Sequence, residues 1–157
     1  MEKLGTYLND HLTGSIVALD LARRRGSAQG DDEIGAFLRS FVHEVERDQR
    51  SLRSIMATLR TPPRISREFF GTATSWLDSI RGTLNLPGAP NLVRDVEVLI
   101  MGVRGKELLW KSLERLRVVT EPPLAELQAR ARDQIAGLEE LHARCVAAEF
   151  GIGTGQG

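Results

Sequence analysis

The sequence predicts an all-α protein, an up-down four-helix bundle with an extra short helix in its central crossover. Three observations carry that prediction. Apolar residues recur with a helical period between one cluster of breakers and the next, no segment alternates with period two, and the breakers leave two long segments on either side of a shorter one. The breakers are Gly26 to Gly30, Thr61-Pro62-Pro63, Pro87 to Pro90 and Thr120 to Pro123.

The first segment places Leu4, Leu8, Leu12, Ile16 and Leu19 on one broad face, which predicts helix over 2–25. The basic run Arg23 to Arg25 falls at its predicted end, where cations complement the helix dipole. In the second, Ile34, Phe37, Leu38, Phe41, Val45, Leu52, Ile55 and Leu59 follow heptad spacing over 32–60, with Asp31 or Asp32 as the cap. The short segment, 66–83, opens with Ile65 and Phe70 placed as a hydrophobic staple and continues through Phe69, Ala73, Trp76 and Ile80. A helix over 91–119 starts from an Asn91 cap and carries Leu92, Val96, Leu99, Val103, Trp110 and Leu113. The last, 122–149, takes Pro122 in its first turn and carries Leu124, Leu127, Ala131, Leu138, Leu141 and Cys145.

At 157 residues, with 41% hydrophobic and 27% charged, the chain can fold as one domain without a metal or disulfide staple. Residues 1–150 are expected to form it, with 151–157 (GIGTGQG) as a flexible tail. Basic and acidic residues number 21 each, which argues against nucleic acid or an anionic membrane surface as partner. Cys145 cannot form an intrachain disulfide and lies on an apolar stripe, as a small buried hydrophobe would. The opening residues lack the apolar core of a secretion signal, and the densest apolar run, Val98 to Val103, is far shorter than the roughly 20 residues of a membrane span. The expected location is the cytoplasm.

Function is sought where polar residues interrupt the apolar stripes. His11 interrupts the first helix, Asp48 the second, with Glu44 one turn earlier, Lys106 the fourth segment, beside Glu107, and Gln134 the last. Antiparallel pairing about Gly26 to Gly30 gives paired numbers summing to roughly 57, which sets His11 level with about residue 46. Pairing about Thr120 gives a sum of roughly 242 and sets Lys106 near Gln134. One buried polar layer of His11, Glu44, Asp48, Lys106 and Gln134 follows as an expectation, a charge-balanced network that fixes which faces pair. Gly102 and Gly105 are read as places where another helix approaches closely.

Two long helices, a long connection and two more long helices resemble the ferritin-like bundles over nearly the whole chain. The stretches YLNDHLTGS, HEVERDQRSL and GVRGKELLW are similar to small bacterial ferritin-like proteins without an assigned activity. That resemblance implies a di-metal layer built from carboxylates and two Glu-x-x-His pairs. The chain departs from it. Its one such pair, Glu139 and His142, lies about 12 Å along the helix from Gln134, His43 projects away from the core face, and Lys106 stands where a carboxylate is wanted. No catalytic or cofactor-binding residue is therefore assigned. The expectation is a non-enzymatic interaction or stress-associated module, acting alone, as a homodimer or with a protein partner, and holding no metal. The alternative is an iron or manganese oxidoreductase using His11, Glu44, Asp48 and Glu107. Ser15 near His11 makes no hydrolase without an oxyanion hole, and no phosphate-binding loop, zinc spacing or aromatic-basic interleaving is present.

Overall fold

The computed structural model describes residues 2–30, 32–64 and 91–151, the side chain of Asn91 excepted. They form four helices and no strand: α1 Glu2–Gln29, α2 Glu33–Thr58, α3 Asn91–Arg115 and α4 Leu124–Phe150. The short helix expected over 66–83 lies outside the described residues, as does the tail after Gly151. No helix among the described residues is long and apolar enough to cross a membrane.

Each helix buries its apolar stripe in one core. Leu8, Leu12, Leu38, Leu99, Trp110, Leu113, Leu127 and Leu138 are among its largest fully enclosed side chains. Helix directions follow from contacts at the ends. The hydroxyls of Tyr7 and Ser112 lie 3.4 Å apart at one end of the α1–α3 pair, and Arg25 pairs with Asp95 at the other, so α1 and α3 are antiparallel. Arg144, late in α4, meets Glu33 at the start of α2 at 3.1 Å, which makes α2 and α4 antiparallel as well. The hairpins α1–α2 and α3–α4 join mainly along α1 and α3.

The largest departure from the sequence expectation is at the first turn. The helix does not stop at residue 25 but continues through Gly26 to Gln29, and only Gly30 leaves it, with φ 67°. Gly26 serves packing instead of termination: a Cβ there would stand 3.4 Å from that of Leu38. Gly35 is tighter still, since its Cβ would fall 2.2 Å from the carbonyl oxygen of Gly30. Asp32 caps α2, accepting the Gly35 amide at 2.7 Å. Because the turn comes later, Ser15 meets Gln49 where the sequence arithmetic set it against residue 42, a displacement of about two turns. Arg23, Arg24 and Arg25 consequently sit before the last turn. Their role is ion pairing, to Glu46, Asp20 and Asp95 respectively, in place of dipole compensation.

Two ends share one device. After α2 the amide of Thr61 bonds the Met56 carbonyl with Arg60 at φ 53°, and after α3 the amide of Val118 bonds the Leu113 carbonyl with Arg117 at φ 56°. These reversals resemble Schellman caps with arginine in the left-handed place usual for glycine. The second stops α3 at Arg115, four residues before the expected 119. Helix α4 opens at Leu124 with Pro123 as its cap, so Pro122 stays outside the first turn.

Gly35→Ala is expected to lower unfolding stability by about 1–3 kcal/mol through backbone overlap. Gly14→Ala, at a helical position where a Cβ meets no described atom within 4 Å, should raise it by up to ~1 kcal/mol. Urea denaturation of both variants measures the pair; equal signs would contradict the packing assigned to the first turn.

Candidate functional site

Mid-bundle, one polar residue from each of the amphipathic stripes of α2, α3 and α4 meets the other two in the interior. Lys106 Nζ donates to Asp48 Oδ2 at 2.5 Å and also to Gln134 Oε1, while Gln134 Nε2 donates to the same Asp48 oxygen at 3.0 Å. Asp48 is 2% exposed, Gln134 4%, and the Lys106 side chain 12%. Ammonium, carboxylate and amide thus close a triangle in which each satisfies the other two.

A fourth member joins from α4. Arg130 brings Nη1 to 3.2 Å from Asp48 Oδ1, in ion-pair contact but off the hydrogen-bond direction, and its Nε lies 3.8 Å from Glu126. Sequence reading passed it over, although its place one turn before Gln134 on the same side of α4 was a usable signal. Asp48 therefore faces two cations. Burial pulls the Lys106 ammonium below its ordinary value, and nearby Arg130 adds to that. The Asp48 carboxylate opposes it by charge and hydrogen bond, as does Glu44 at longer range.

The other residues of the expected layer stand apart. Glu44 is exposed and makes no hydrogen bond in the triangle. His11 is half-buried with its ring edge-on to Tyr7, centroids 4.6 Å apart. The displaced α1–α2 register takes it past Asp48, whose level is held instead by Ser15, accepting from Gln49 Nε2 at 2.9 Å. Glu107 turns away from Lys106. Its carboxylate accepts from Lys111 at 2.6 Å and lies 3.7 Å from Arg104, and these basic groups, Lys111 first, hold it below the usual carboxylate range. The set His11, Glu44, Asp48 and Glu107 accordingly does not converge, and no three His, Cys, Asp or Glu side chains among the described residues group so as to hold a metal ion. His142 bonds Glu97 at 3.1 Å, His43 is 81% exposed, and Cys145 is buried with its thiol pushed up by that burial.

Beside the triangle lies a cavity of about 310 Å³ between α1 and α3, floored by α2. Its walls are mostly apolar, including Val17, Phe41, Val45, Leu52, Val103 and Leu109, with His11, Ser15, Asp48, Gln49 and Lys106 as polar members. Gly14, Gly102 and Gly105 border it. A Cβ on Gly14 or Gly102 meets no described atom within 4 Å, and one on Gly105 meets only His11 at 3.9 Å. Among the described residues no helix approaches Gly102 or Gly105 closely, in contrast to the role the sequence suggested for them. Trp110, fully buried in the cavity wall, holds an indole N–H with no acceptor among the described residues.

Compared with protein-family models, curated proteins and solved structures, the chain matches none.

Asp48→Ala is expected to cost about 3–5 kcal/mol, because it strands a buried ammonium and a nearly buried guanidinium. Asp48→Leu with Lys106→Met should fall short of full recovery while Arg130 remains, and adding Arg130→Met should bring stability close to wild type. A double-mutant cycle by urea denaturation reads this; additive single losses would mean the groups are not coupled. Burial also lowers the His11 pKa, with Asp10 pulling the other way. The folded chain then holds that proton less readily than the unfolded one. The contribution of His11 is full above about pH 6.5 and is lost as pH falls through its lowered folded value. His11→Gln should flatten stability against pH below 6.5, as followed by thermal unfolding across a buffer series.

Proposed function

We propose that this chain is a ferritin-like bundle whose mid-bundle layer is held by cations from its own side chains, and that it acts as a non-enzymatic interaction module. One observation carries the proposal: both oxygens of Asp48 face protein cations, Lys106 on one and Arg130 on the other. A divalent ion at that carboxylate would have to displace a hydrogen-bonded ammonium and then sit beside it, against Coulomb repulsion in a poorly solvated interior. The antiparallel pairing of α1 with α3 and of α2 with α4 supports the ferritin-like arrangement. So does the position of Arg64 and Asn91 at opposite ends of the bundle: the Arg64 amide donates to Asn9 early in α1, and α3 begins beside Arg25 late in it. Met101 and Leu108, two turns apart on α3 and each at least half exposed, suit the contact surface of a second copy or a protein partner.

Metal analysis of protein purified without chelator tests the reading. The expected result is less than a tenth of an equivalent of iron, manganese or zinc per chain. One or two equivalents lost on Asp48→Asn would favour the metal oxidoreductase and overturn the cation-held layer.

A further inference from the structure

The cavity between α1 and α3 is a cleft that opens to solvent past the exposed Gly14, Met101 and Gly102. Its volume of about 310 Å³ is about twice the ~150 Å³ known to accept a benzene. Its size traces to missing side chains. Glycine inside a helix is unfavourable, yet Gly14, Gly102 and Gly105 border the space without any described neighbour demanding their smallness. One side chain of the wall has an unused donor: an ammonium has three protons, of which Lys106 spends two on Asp48 and Gln134 among the described residues. The acids of the wall, Asp10 and Asp48, outnumber the lysine.

We propose that this cavity binds a neutral, mostly apolar molecule of about bicyclic size that carries a hydrogen-bond acceptor such as a ketone oxygen. Apolar walls supply the affinity, the remaining proton of Lys106 selects the acceptor, and the net acidic wall disfavours an anion. The inference rests on the cation-held layer, since it takes Lys106 as an ammonium on Asp48.

The test is calorimetric titration of the full chain with 2-acetylnaphthalene, naphthalene and 2-naphthoate, with metal content measured on the same sample. The expected result is saturable one-to-one binding of the ketone with Kd of about 10⁻⁴ M or tighter. Naphthalene and naphthoate should each bind roughly tenfold more weakly. Gly102→Leu or, from the opposite wall, Gly14→Leu should abolish binding while thermal unfolding shows the variant folded. No saturation by wild type, undiminished binding to both folded leucine variants, or equal affinity for ketone and naphthalene would each overturn the proposal. Such failures in metal-free protein would leave the reading of the polar layer standing, whereas stoichiometric metal would remove the premise itself.

Discussion

A single carboxylate, Asp48, receives an ammonium from α3 and an amide and a guanidinium from α4, and the arrangement of the bundle follows from having to keep those groups together. None can return to water while its helix stays docked, and none can lose its partner without leaving a charge in a poorly solvated interior. Hydrophobic burial alone would allow these helices to rotate or slide by a turn at modest loss, because leucine packs acceptably against leucine in many registers. The polar contacts do not allow it. Their worth lies in specifying one mutual arrangement of α2, α3 and α4 more than in adding stability.

The link is placed where two neighbouring helix backbones approach each other least. The two hairpins are zipped internally and join along α1 and α3, leaving α2 and α4 with fewer backbone approaches. Asp48 with Gln134 and Arg130 bridges that seam at mid-height. Gly137 lets the Phe37 ring come within 3.0 Å of where its Cβ would be, toward one end. The opposite seam, between α1 and α3, holds the ion pair of Arg25 with Asp95 at one end and the hydroxyl contact of Tyr7 with Ser112 at the other. Between them the glycines leave space. The bundle is thus tied at its ends and centre and open on one side, and the opening abuts the one buried lysine–carboxylate pair among the described residues.

The sequence by itself determined the helical architecture, since a period of 3.6 residues over four long segments leaves only helix packing as a way to bury the stripes. It also determined which polar residues of α3 and α4 meet. The joint near Thr120 is short and correctly located, so Lys106 and Gln134 come level as the arithmetic requires. For the α1–α2 hairpin the same arithmetic was displaced, because glycine in a sequence marks either a helix end or a close contact, and only the facing residue distinguishes them. Gly26 faces Leu38, so the helix runs on to Gln29 and His11 moves out of the layer. Arg130 and Glu107 show the other limit. A long side chain can reach inward or outward from the same helical position, and the choice depends on which charges the neighbouring helices offer. Tertiary structure alone decided that Arg130 turns to Asp48, that Glu107 turns to Lys111, and that Gly14, Gly102 and Gly105 border a cavity. The empty volume beside a glycine is set by its neighbours across the seam, and helical periodicity carries no information about them.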